Sequence, residues 1–153
     1  MRRNNHLQYP RNRFRGIAKN WAVPFGCGLF FLLLLKCILF VGFVPSASME
    51  PAIGRDTFIF GVRLIKKVNL GDVMVFEHDN LYMAKRVAAL PGNKIVVNGE
   101  ILTVPDDCFF MLGDNAEISV DSRYWDDPFV PKMKIIAKVL NMPVFPQLIS
   151  SWK

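Results

Sequence analysis

Cysteine and histidine are scarce in this chain, with three Cys and two His among 153 residues. Cys27 and Cys37 fall within one apolar run and Cys108 stands alone after it, so no disulfide framework is expected. Cys108 opens the stretch Cys108-Phe109-Phe110-Met111-Leu112, where a lone thiol reads as a small packed hydrophobe rather than a nucleophile. His6 lies in the N-terminal tail and His78 in a Glu-His-Asp-Asn turn expected to be solvated, so neither is placed as a general base. No cofactor and no metal site is expected. Internal repeats and low-complexity tracts are also missing, and no long amphipathic helical period appears after the apolar run. Acid is missing from residues 1–20, which carry Arg2, Arg3, Arg11, Arg13, Arg15 and Lys19. Residues 45–153 hold twelve Lys/Arg against thirteen Asp/Glu, so the formal net charge of +6 belongs to the tail and a nucleic-acid reading of the rest has little support.

What is abundant is apolar surface: 52% of the residues are hydrophobic and 13 are Phe. From Trp21 to Val44 the only charge is Lys36. About 20 such residues suffice to cross a bilayer core as a helix. The basic tail before them matches the positive-inside rule, giving a cytoplasmic N-terminus (1–20), a single anchor (21–44) and an extracytoplasmic domain (45–153) at an inner or plasma membrane. Lys36 lies eight residues before Val44, roughly 12 Å along a helix. It either snorkels outward or serves a function or a helix partner. A cleaved secretory signal with Ser46-Ala47-Ser48 as its site is the alternative. The run is longer than the roughly 7–15 residues of a signal core. Cleavage there would also remove Ser48, so an uncleaved anchor is favoured.

After Val44 the pattern changes to short β-like runs between turn residues: 57–62, 73–77, 81–90, 94–97, 100–104, 108–112 and 134–140. Asn98-Gly99 between two apolar runs is a hairpin signal, because a type I′ turn needs two positive φ angles. The expected fold is all-β, a small antiparallel β-domain preceded by one N-terminal transmembrane helix. Phe145 to Lys153, with Pro146, Leu148, Ile149 and Trp152, would pack on the domain or touch the membrane surface.

Three segments place polar residues where a plain β-domain would not: Pro45-Ser46-Ala47-Ser48-Met49-Glu50-Pro51, Lys85-Arg86 within an apolar strand, and Gly113-Asp114-Asn115 through Ser119-Val120-Asp121-Ser122-Arg123-Tyr124-Trp125. Each alone has a bland reading. A Ser-rich, Pro-bounded stretch is a linker, a Lys-Arg pair is an edge charge or a salt-bridge partner, and Asp-Asn segments are turns.

Together, and in this order, they resemble the type I signal peptidases, membrane-bound serine peptidases with a Ser/Lys dyad. The resemblance runs through PSASMEP, GDVMVF (71–76), KRVAALPGN (85–93) and GDN…SVDSRYW (113–125), over most of residues 44–140. It implies Ser48 as nucleophile and Lys85 as general base, in keeping with the need of a serine hydroxyl for a neighbouring base. Lys85 must then be neutral, its reference pKa of about 10.4 lowered by apolar surroundings. Leu81, Met83 and Val87 share its face of an alternating strand. The resemblance further implies that Ser119 orients Lys85 and that Ser46, with the Ser48 N–H, forms an oxyanion hole. It gives Arg86 an ion pair with Asp114, and Asp121 and Arg123 a supporting ion pair. Val44, Pro45 and Ala84 would line shallow pockets for small residues at positions −1 and −3 of a substrate added as an extended strand. The implied partners are a preprotein or prepilin and membrane lipid, with no nucleic acid.

Departures from the pattern are Asp126 and Asp127 where the family usually has Gly, and Asn93 where Asp is common. The second, inserted β-domain of large bacterial members is also lacking, as in a minimal version. Within the group, a dedicated pilin or conjugation-system maturation peptidase is the runner-up to general preprotein processing. SOS-type repressor autoproteases share the dyad but are soluble and carry a helical DNA-binding module. A non-catalytic membrane-anchored binding domain is the remaining alternative.

Overall fold

The structure, a computed structural model, describes residues 13–97 and 99–140, and their side chains except at 13–20 and 22. His6, Asn98 and the segment Phe145–Lys153 lie outside those residues. The chain divides into two compact units, Met1–Cys37 and Ile38–Lys153.

The first unit is built on helix α1, Arg13–Ile38, with Pro24 inside it and Lys36 in its last turn. A cation there is favourable to the partial negative charge of the helix end. The expected span to Val44 is cut short, because Leu39–Val44 is strand β1. An unbroken apolar run carries no mark of the change from helix to strand. Lys36 therefore lies two residues from the helix end. Among the described residues no helix is long and apolar enough to cross a membrane. The first turns of α1 hold Arg13, Arg15 and Lys19, and its apolar part, Trp21–Ile38, is about 27 Å long and carries Lys36.

The second unit is antiparallel β throughout. Strands β2 (Thr57–Val62), β3 (Val73–His78), β4 (Leu81–Ala89), β5 (Lys94–Val97), β6 (Glu100–Thr103), β7 (Cys108–Leu112), β8 (Phe129–Pro131) and β9 (Ile135–Val139) follow β1. Seven form one sheet in the order β1-β2-β9-β3-β4-β7-β8, while β5 and β6 form a separate hairpin. In that hairpin Val97 faces Glu100 across a two-residue turn, and Gly99 has φ +84°, a left-handed value open to glycine at little cost. β8 is only three residues long and ends on Pro131, so it leaves no sequence pattern.

Alternation sorts the core onto the two faces of the central strands. Val73 and Val75 of β3 pack with Val44, Met49, Ile53 and Ile59, whereas Met74 and Phe76 pack with Val87, Phe109 and Met111. β7 does the same, sending Phe110 and Leu112 into a third cluster with Ala89 and Val104. Both strands are buried on both sides, so they read as continuous apolar runs. Cys108 is half-buried against the third cluster, and burial pushes its thiol pKa up.

Two features of this sheet bear on the site. Among the described residues β1 is an edge strand, paired only with β2. β4 pairs with β7 only from Arg86 onward, so Leu81–Lys85 has a strand partner on one side alone, β3.

Candidate active site

Ser48 lies on a tight turn immediately after β1. The Glu50 N–H donates to the Ala47 carbonyl, 3.1 Å, and the Ile53 N–H to the Met49 carbonyl, 2.8 Å. Met49 and Ile53 are buried in the first core cluster, which pins the turn to the sheet and leaves Ser48 half-buried. The Asn115 N–H donates to the Ser48 carbonyl, 3.1 Å, tying the turn to the segment after β7.

Lys85 is 4% exposed, in the middle of β4 and opposite Met74. Its Nζ stands 2.8 Å from Ser48 Oγ and 2.9 Å from Ser119 Oγ. Met83 and Val87, of the same strand parity, belong to the apolar cluster around Met74. Leu81, expected to share that shielding, is instead exposed. Burial lowers the Lys85 pKa, and the Arg123 charge adds to the lowering. The Asp121 and Asp114 charges oppose it but do not prevail.

Ser119 is buried between exposed Ile118 and Val120, and its hydroxyl donates to Asp121 Oδ2, 2.7 Å. The same carboxylate accepts the Gly113 N–H, 2.9 Å, and two bonds from the Arg123 guanidinium, 2.9 and 2.8 Å. Burial pushes the Asp121 carboxyl up. The hydrogen bonds from Arg123, Gly113 and Ser119 outweigh that and hold it below the ordinary carboxylate value. An ionised carboxylate only accepts. The one proton of Ser119 is thus committed to Asp121, and Ser119 can meet Lys85 only as an acceptor.

Ser46 is exposed, its Oγ 3.3 Å from Ser48 Oγ. Arg86, the neighbour of Lys85, is fully buried and grips both oxygens of Asp114 at 2.7 and 2.6 Å. Its third bond, 2.7 Å, goes to the Gly71 carbonyl. Ser46, Ser48, Lys85, Ser119, Asp121 and Arg123 thus form one connected set, with Arg86 and Asp114 as a separate pair. Val44, Pro45 and Ala84 line a cavity of about 580 Å³ that also reaches Ser46, Ser48 and Lys85.

The matching family model is described as signal peptidase, peptidase S26, and it covers residues 18–104 and 98–143. The chain belongs to this peptidase family. A probable signal peptidase I-2 from Synechocystis is 28% identical over 130 residues, covering 63% of this chain and 59% of that protein. A signal peptidase I from Pseudomonas fluorescens is 35% identical over 91 residues, covering 59% of this chain and 28% of the relative. Another from Leptolyngbya laminosa is 28% identical over 152 residues, covering 74% of both chains. The chain thus spans 59% and 28% of the first two relatives.

Other residues of this S26 site gave no sequence signal. A Cβ on Gly113 would collide with Ser119 Oγ and stand 2.6 Å from the Ser48 carbonyl oxygen. Only glycine lets the two segments approach this closely, and Gly-Asp-Asn by itself reads as a turn. Phe40, Ile59, Tyr82, Ile118 and Val120 join the cavity wall from four separate stretches of chain. His78 corrects an expectation: it ends β3 and stacks on Trp125 with ring centroids 3.8 Å apart, so it is not in a solvated loop. Among the described residues no group of His, Cys, Asp and Glu could hold a metal ion.

Proposed function

We propose that this chain is a membrane-anchored serine endopeptidase that cleaves exported preproteins after small residues, with Ser48 as nucleophile and neutral Lys85 as general base. The observation that carries the reading is the Lys85 amine, buried, with a lowered pKa, and 2.8 Å from Ser48 Oγ. A neutral amine has two N–H donors and one lone pair. Ser119 accepts one donor, because Asp121 holds the Ser119 proton. That leaves the lone pair to be turned toward the Ser48 hydroxyl.

The reaction follows from these roles. Ser48 Oγ adds to the scissile carbonyl carbon as its proton passes to Lys85 Nζ. The Ser48 N–H and the Ser46 hydroxyl stabilise the oxyanion; one such donor is typically worth about 10²–10³ in rate. The protonated Nζ returns its proton to the leaving amine, and the bond from carbonyl carbon to nitrogen breaks. Neutral Lys85 then takes a proton from a water that attacks the ester carbon, and returns it to Ser48 Oγ as the bond from the acyl carbon to Oγ breaks. Asp121 and Arg123 hold Ser119 in place and touch no reacting atom. The Arg86–Asp114 pair fastens the segment after β7 to β4.

The cavity lies between two stretches of unpaired strand edge, Gly42–Val44 of β1 and Tyr82–Lys85 of β4. An extended peptide laid there gains main-chain hydrogen bonds, with alternate side chains entering the cavity. Membrane attachment is supported by Trp21–Ile38 behind the basic tail. It is supported too by an exposed stripe in which Val41 faces Phe60 and Phe43 faces Phe58 across β1 and β2. Exposed apolar patches of this kind mark contact surfaces. The N-terminus would be cytoplasmic and the β-domain extracytoplasmic.

The test is cleavage of a preprotein with an Ala-x-Ala site by the purified full chain in detergent. Cleavage at that site, abolished by Ser48→Ala, is expected. Undiminished cleavage by the variant would refute the assignment of the nucleophile.

A further inference from the structure

A second groove shares no lining residue with the cavity at Ser48. This groove of about 490 Å³ is walled by Ile65, Val68, Phe109 and Ile135 and rimmed by Arg63, Lys66, Lys67 and Lys132. Among the described residues the only acid lining it is Asp107, 3.8 Å from Lys132. Among the described residues no carboxylate pairs with Arg63, Lys66 or Lys67. Each rim segment also carries a bare apolar side chain beside its cations: Leu64 is 66% exposed and Met133 is 88% exposed. The Arg63 N–H donates to the carbonyl of Ile38, the first residue of the β-sheet unit, at 2.8 Å. Its guanidinium lies 5.3 Å from the centre of the Phe40 ring, and Phe40 lines the cavity that holds Ser48.

We infer that this groove docks the phosphate-bearing headgroups of anionic phospholipids, with Leu64 and Met133 dipping into the interface. The inference rests on the reading of α1 as a membrane anchor. Clustered cations on a domain tethered to a membrane are drawn to an anionic leaflet, with a pull that fades within a Debye length and in high salt. Long cationic side chains around an apolar tip suit the boundary between headgroup and hydrocarbon. A free phosphate ion would use the cations but not the apolar tips, so the two together favour a lipid surface.

The test is amide hydrogen exchange of the full chain in nanodiscs of phosphatidylcholine alone, or with roughly a third phosphatidylglycerol. Exchange in peptides covering 62–68 and 130–135 is expected to slow at least about threefold in the anionic discs. High salt, or Lys66→Gln with Lys67→Gln and Lys132→Gln, should remove that protection, whereas peptides around 73–77, which do not line the groove, should be unaffected. Equal exchange in both discs, protection that survives the triple substitution, or the same protection from inorganic phosphate with neutral discs would each overturn the inference alone. A chain that co-elutes with neither disc would overturn the anchor reading and this one with it.

Discussion

Lys85 and Arg86 are consecutive cations in one strand, both almost fully buried, yet their surroundings are opposite. Arg86 meets a carboxylate face to face and a carbonyl besides, so its charge is matched where it lies. Lys85 meets two hydroxyls, and the nearest acid, Asp121, is reached through Ser119 and already bound to Arg123. Burial with a matched counter-charge preserves a cation. Burial among hydroxyls and hydrocarbon makes it ready to lose its proton. On the proposed reading one position fastens and its neighbour exchanges a proton, and the strand's alternation lets both occur without interference.

The sharpest way to break the contrast is to give position 85 the chemistry of position 86. Lys85→Arg should lose activity as fully as Lys85→Met or Ser48→Ala, a fall of about 10⁴ or more in kcat, because a guanidinium does not deprotonate. Appreciable cleavage by Lys85→Arg in a preprotein assay would remove the base from Lys85. The converse change acts on stability. Arg86→Met or Asp114→Leu alone leaves a buried charge unmatched and should cost about 3–5 kcal/mol in chemical unfolding, while the double replacement should recover most of that.

A smaller effect is expected where the two regions join. Ser119→Ala should lower kcat by about 10²-fold through misplacement of the amine, with little change in KM. A KM effect alone would make Ser119 part of substrate binding instead. The smallest effect is on the pH dependence of stability. Lys85 has a folded pKa below its ordinary value of 10.5. Between the folded and the ordinary value the unfolded chain binds the extra proton, so stability should rise with pH across that window. It should level off above 10.5, where both states are neutral, and be lowest below the folded pKa. The slope should not exceed about 1.4 kcal/mol per pH unit and should vanish in Lys85→Met.

Much of this was legible beforehand, for local reasons. β2, β5 and β7 have the bounds expected from their runs, because turn residues bracket them. β1 was hidden, since Leu39–Val44 continues an apolar run in which period and composition do not change. Ser48, Lys85 and Ser119 were legible only as a set, because each alone fits a linker, an edge charge or a turn. Gly113 gave no sign of its role, which depends on how closely two distant segments approach. Val44, Pro45 and Ala84 of the cavity wall were named beforehand, and the rest of the wall escaped for the same reason. Phe40 and Val120 become neighbours of Ser48 only after the sheet has formed.

The central claim is that burial keeps Lys85 ready to be neutral beside Ser48. It is tested most directly by NMR titration of the full chain in micelles with labelled lysine side chains, the Lys85 signal being assigned by its absence in Lys85→Met. The account requires that signal to titrate with a midpoint clearly below 10.5, apart from the other lysines. A midpoint at or above 10.5 would contradict it.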